Sequence, residues 1–149
     1  MENSNNIHAI LVMNAHHARL FYYQEGPVYH KDYKDSSLQD FKEKEDFVYS
    51  KNVLSDSKES FDGMGDRDNA DREYELEKFT KKVADALFEH FKIHEFEDLI
   101  LIAPAKITHS FKTHLHTDLQ NKLNRIAYHN IVNLTAPEIY KYLQKEIDL

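Results

Sequence analysis

The hydrophobic positions fall into two regimes. In the first, short apolar runs are broken by turn residues. Ile7 to Met13 is apolar apart from His8, the polar turn Asn14-Ala15-His16-His17 follows, and Ala18 to Gln24 resumes with aromatic and branched residues. Two such runs across a short gap predict an antiparallel hairpin. Glu25-Gly26-Pro27 is a second turn, and Val28 to Tyr33 alternates weakly enough for a third, edge-like strand. From Lys34 to Ala70 the pattern fails, apart from a short strand expected around Phe47 to Tyr49. The rest, with Gly63 and Gly65 near its end, reads as a long mobile loop around residues 50–70.

The second regime alternates helical and extended periods. Asp68, Asn69 and Asp71 are helix-cap candidates, and Leu76, Phe79, Val83, Ala86, Leu87 and Phe91 recur at three- and four-residue steps. Asp98 to Lys106 then carries four consecutive aliphatic residues, the signature of a strand buried on both faces. Ile107, Phe111, Leu115 and Leu119 predict a second helix with Thr108 as its cap, and Ile126 to Leu134 predicts a further strand. Thr135-Ala136-Pro137-Glu138 is a capping box with proline in the first turn, opening a last helix with Ile139, Leu143 and Ile147 on its apolar face. The expected fold is one mixed α/β domain over residues 1–149, an N-terminal antiparallel meander followed by α-β-α-β-α.

Composition narrows the setting. At 149 residues, with 41% hydrophobic and 30% charged positions, the chain can bury a real core without staples. It has no cysteine, which excludes disulfides and thiolate metal sites. No apolar run approaches the roughly 20 residues that span a bilayer, and a polar N-terminus lacks a signal-peptide pattern, so a cytoplasmic protein is expected. A net charge of -7 argues against broad, non-specific nucleic-acid binding but leaves room for a local basic patch.

The segment Ala9 to Phe21 resembles the opening of the "host attachment protein" family, in which a hydrophobic strand enters a polar turn and then an Ala-Arg-hydrophobic-Phe strand. Phe79 to Leu87 resembles its Phe-x-x-x-(Ile/Val)-Ala-x-x-Leu helix, Phe96 to Ala105 its Phe-Asp-x-Leu-(Val/Ile)-Leu-(Val/Ile)-Ala-Pro strand, and Val132 to Thr135 its Lys-Asp-Leu-Thr turn. That family is similar to the middle, peptide-release domain of archaeal and eukaryotic termination factors. The resemblance implies their mixed α/β fold and a role at the ribosome. In those factors a Gly-Gly-Gln loop enters the peptidyl transferase centre. The corresponding residues here, Gly63, Met64 and Gly65, lack that motif, and Gln39 is the only glutamine between Lys34 and Ala70. Peptidyl-tRNA hydrolysis is therefore not carried over. This chain also has Asn14-Ala15 for the relatives' Asp-Gly turn and Asn133 for their Asp.

Candidate chemistry gathers after the strands. Asn14, His16, His17 and Arg19 could contact RNA or another anion, against an ordinary hairpin tip and an Arg19 that merely pairs with a carboxylate. Lys106, Thr108 and Lys112 flank the start of the second helix, where free N–H groups favour anions, against an ordinary capped helix. His90 and His94, His114 and His116, and nearby His109 lack the convergence of a metal site and read as surface histidines. No glycine-rich nucleotide loop or nucleophile elbow is present, so no cofactor and no enzyme activity are argued for. The first reading is a non-catalytic module associated with the ribosome or RNA. The alternatives are a small hydrolase or phosphate-ligand enzyme at the carboxyl edge of the sheet, or a protein-interaction domain with the acidic loop as its contact surface or an exposed strand supporting a homodimer.

Overall fold

The computed structural model describes residues 7–24, 41–44, 47–49 and 65–147. Its strands are β1 (Ile7–Met13), β2 (His17–Gln24), β3 (Phe41–Glu43), β4 (Val48–Tyr49), β5 (Asp98–Ile102) and β6 (Leu123–Ala127). They form one mixed sheet in the order β3-β2-β1-β5-β6, with β4 also paired to β2. The β1–β2 hairpin is antiparallel, and β1, β5 and β6 are parallel. The mixed α/β fold expected from the sequence is the one found.

Strands β1 and β5 sit between neighbours and between layers of side chains. Their continuous apolar runs follow from that double burial. Ala9, Leu11, Met13, Leu99 and Leu101 face one cluster with Phe79, Val83, Leu87, Ile107 and Phe111. Ile10, Val12, Ile100 and Ile102 face the other, with Ile139, Tyr140 and Leu143. Each such Leu or Ile, fully buried, contributes about 1.5–3 kcal/mol. Helices α1 (Gly65–Ile93) and α2 (Ala105–His114) therefore cover one face, and α4 (Ala136–Tyr142) covers the other, continuing into a π-helical turn at Leu143–Ile147.

Several expectations shift. The strand expected at Val28 to Tyr33 lies outside the described residues, as do residues 50–64 of the expected loop; residues 65–70 are helical, so Asp68, Asn69 and Asp71 lie inside α1 rather than at its cap. Strand β3, unforeseen, is anchored by Phe41 stacked on Phe21 at 4.8 Å. Helix α2 starts at Ala105 with Pro104 before it, and Thr108 is a buried first-turn residue whose hydroxyl donates to the Ala103 carbonyl. The four-residue apolar period runs on to Leu119, but the helix does not. Leu115 is extended, and His116 caps a separate short helix α3 (Thr117–Gln120), its Nδ1 accepting from the Asp118 N–H. Strand β6 begins at Leu123, ahead of the expected Ile126, and ends at Ala127. The capping box at Thr135 and Glu138 is present in both directions.

Candidate functional site

The three parallel strands end level. Val12 lies beside Ile102, and Ile102 beside Ala127. Beyond that line their continuations part. The chain after β1 turns back into β2, the chain after β5 enters α2 on one face, and the chain after β6 runs to α4 on the opposite face. Neighbouring strands whose continuations leave for opposite faces open a crevice at their carboxyl ends. Past Ala103 and Ala127 the diverging connections begin with Pro104 to Lys106 on one side and the exposed Tyr128, His129 and Asn130 on the other.

The β1–β2 turn is built by Asn14. Its side-chain oxygen accepts from the N–H groups of His16 and His17 at 2.8 and 2.9 Å. A short side chain that bonds its own backbone two and three residues on is what makes Asn a turn former. The Asn14 amide nitrogen reaches across to Asn130 Oδ1 at 3.5 Å, joining the loops that follow β1 and β6. His16 and His17 are exposed. Partial burial, and then the neighbouring His17, hold the His16 imidazole below its ordinary pKa.

Arg19 is committed within the fold. Its Nε and Nη2 donate to the two Glu43 carboxylate oxygens at 2.8 Å each, and Nη1 donates to the carbonyls of Val132 and Leu134 at 2.8 and 2.6 Å. Four of its five N–H groups are thereby used, and the bond with Glu43 raises its pKa further. Of the two uses expected for Arg19, the structure shows the carboxylate pair, and the residue clamps the β6–α4 loop to β2 and β3. Lys106, 69% exposed, pairs with Glu73 at 2.9 Å. Lys112 is exposed in the last turn of α2, well past the helix start. Asn14, His16, His17 and Lys106 thus share the carboxyl edge, while Arg19 and Thr108 are turned to structural use. Gly63 and Met64 lie outside the described residues, and Gly65 opens α1.

Two polar clusters escaped the sequence reading. At the amino edge, Asp98 receives His8 Nδ1 at 2.7 Å, Asn124 Nδ2 at 2.7 Å and Arg125 Nη2 at 3.1 Å. Burial pushes its carboxyl up, but those three bonds outweigh it and hold Asp98 below the ordinary value. The ionised carboxylate can only accept, so His8 carries its proton on Nδ1. Between α1 and α2, Glu77 receives His114 Nε2 at 2.7 Å and the Ser110 hydroxyl at 3.1 Å, bonds that lower its pKa. The carboxylate stands between hydroxyl and imidazole. His114 therefore cannot take the Ser110 proton directly, and Ser110 is buried, so the trio is not arranged as an activated nucleophile.

Three further histidines have local ring partners: His116 stacks on Phe88 at 3.7 Å, His90 packs near Phe47 and His94 near Tyr22. Among the described residues, no group of three or more His, Asp or Glu could hold a metal ion, and no helix is long and apolar enough to cross a membrane.

The profile of bacterial archaeo-eukaryotic release factor family 12 matches residues 8–143, from the second residue of β1 to the first residue past α4. The chain belongs to this family. The match supports the kinship to release factors drawn from Ala9 to Phe21 and Phe96 to Ala105; it carries no host-attachment label. No curated protein matches the chain. For a family 12 protein, the hairpin, the buried β5 and the capped α4 are the elements that the match spans.

Proposed function

We propose that this family 12 protein is a binding module of the translation apparatus that associates with RNA on the ribosome and does not hydrolyse peptidyl-tRNA. The observation that carries the reading is a release-factor match over nearly the whole chain, in a sequence whose glycines, Gly26, Gly63 and Gly65, are nowhere adjacent. A Gly-Gly-Gln loop cannot be drawn from it. The binding surface is the carboxyl edge, where Asn14 reaches the loop after β6, His16, His17 and Lys106 lie at the same strand ends, and Lys112 extends it along α2. With a net charge of -7, and with Arg19 internally bonded, contact with RNA rests on few phosphate neutralisations.

Co-sedimentation with bacterial ribosomes over a salt series tests the association. The protein is expected in the pellet at low salt and in the supernatant at high salt, and a triple His16→Glu, His17→Glu, Lys112→Glu variant is expected to be released at lower salt than the wild type. These positions are exposed, so the fold survives the change. Wild-type protein that stays in the supernatant at every salt concentration overturns the reading. Release of peptide from peptidyl-tRNA is expected at the buffer rate, and an accelerated release overturns its non-catalytic half.

A further inference from the structure

We infer that the crevice between the β5–α2 and β6–α4 connections is a nucleobase-binding site, with Tyr128 as the stacking platform and the Asn14 and Asn130 amides reading the base edge. The inference rests on the RNA-binding reading above and names what that surface recognises: an unstacked base of single-stranded RNA. Phosphate is the lesser part of the contact.

Place comes first. Tyr128, His129 and Asn130 are consecutive, exposed, and emerge one step beyond Ala127 at the point where the continuations of β5 and β6 separate. Tyr128 is 58% exposed although it directly follows a strand of the core sheet. An aromatic face left in water beside polar amides is the side-chain set by which single-stranded RNA is held, bases stacking on the ring while their edges are hydrogen-bonded.

Chemistry selects the base over the phosphate. The nearby guanidinium, Arg19, is spent on Glu43, Val132 and Leu134, and the exposed ammonium of Lys106 is shared with Glu73 in a surface ion pair. What the edge offers is amide. The Asn14 oxygen is held by two backbone N–H groups, which fixes its Nδ2 as a donor pointed at Asn130. The Asn14–Asn130 contact, at 3.5 Å, is at the long limit of a hydrogen bond, so a base edge presenting an acceptor and a donor would replace it with two shorter ones.

The platform is also held still. His129 is hydrogen-bonded to the Tyr142 hydroxyl and meets its ring edge-on at 5.6 Å, while Arg19 pins the same loop at Val132 and Leu134. A loop fixed before binding loses little freedom when its ligand arrives.

The chain contains no tryptophan, so Tyr128→Trp supplies a single fluorescent reporter on the platform itself. Adenosine monophosphate is expected to quench it saturably, and ribose 5-phosphate, which has the phosphate without the base, to leave it unchanged. In parallel, a fluorescein-labelled single-stranded RNA octamer is titrated with wild type, Tyr128→Phe and Tyr128→Ala. Tyr128→Ala is expected to bind at least about fivefold more weakly, and Tyr128→Phe, which keeps the ring, within about twofold of wild type. Equal quenching by both small molecules, or none by either, overturns the base site. Wild-type RNA binding that is unchanged in Tyr128→Ala also overturns it and leaves the RNA reading standing. Saturable quenching by the nucleotide without RNA binding by the wild type does the reverse.

Discussion

The two ends of the parallel strands treat their polar groups in opposite ways. At the amino edge, Asp98 is largely buried and gathers His8, Asn124 and Arg125, while Arg125 also donates to the Ile147 carbonyl at 3.0 Å. At the carboxyl edge, Tyr128, His129, Asn130, His16 and His17 stand in water; Asn14 holds the His16 and His17 N–H groups and reaches Asn130 by a long amide contact, and His129 bonds the Tyr142 hydroxyl. The first arrangement ties β1, β5, β6 and the C-terminal turn together. The second leaves an aromatic face and amide edges facing solvent. Buried polar groups left unpaired are costly, whereas exposed ones can wait for a ligand at little cost. Polar residues at the ends of one sheet can therefore be sorted by what they touch, with those of one end serving stability and those of the other recognition.

The largest effect that would break this contrast is at Asp98. Asp98→Ala leaves Arg125 and His8 without their shared acceptor in a half-buried setting, and is expected to cost about 3–5 kcal/mol, read from urea unfolding. A loss under about 1 kcal/mol would mean that the amino-edge network is ornamental. Next comes Arg19→Ala, which strands the Val132 and Leu134 carbonyls and is expected to cost about 1–3 kcal/mol. It should also weaken RNA binding, because the loop that carries Tyr128 loses its clamp. Stability lost with RNA affinity intact would separate the clamp from the site.

Acid gives a third test of the same edge. The folded Asp98 carboxyl has a pKa below its ordinary value, so the unfolded chain binds its proton more readily and stability rises with pH through this range. The contribution is complete above the unfolded value near 3.8 and is lost as pH falls through the lower folded value. Melting midpoints should therefore drop more steeply below pH 4 in the wild type than in Asp98→Asn, which has no carboxyl to titrate; parallel slopes would remove Asp98 from the account. The smallest expected effect is at the other end. Tyr128→Ala and Asn130→Ala should each change stability by no more than about 0.5 kcal/mol, and a larger loss for Tyr128→Ala would make it a packing residue.

Much of the fold was legible because its strongest patterns are central. The continuous apolar runs in β1 and β5 come from double burial, and the Thr135–Glu138 box spells out its own helix start. The misplacements have physical causes. Leu115 and Leu119 keep a helical period because both are buried against the α1 side, yet the backbone between them is extended at Leu115. The apolar stretch Ile131, Val132 and Leu134 reads as strand, but it packs against the α4 side as a loop, with the Val132 and Leu134 carbonyls satisfied by Arg19 and that of Ile131 by the Leu134 N–H. Strand β6 begins ahead of the apolar run at Ile126 because Asn124 and Arg125, polar in sequence, are turned to Asp98. Strand β3 hides among charges as a three-residue edge, with only Phe41 marking it.

The site was less legible. Arg19 stood out for its chemistry, but no local pattern says whether a guanidinium meets a ligand or two backbone carbonyls 113 and 115 residues away. In the sequence Tyr128 is one more aromatic within a run that reads as strand. Its exposure exists only once β6 ends at Ala127 and the chain leaves the sheet.

Hydrogen exchange of the protein with and without a single-stranded RNA octamer sets the two edges against each other in one measurement. Added protection is expected in residues 14–17, 103–106 and 128–131, with residues 96–98 and 122–125 unchanged. Protection confined to the amino edge, or none at either edge, would contradict the division of labour between them.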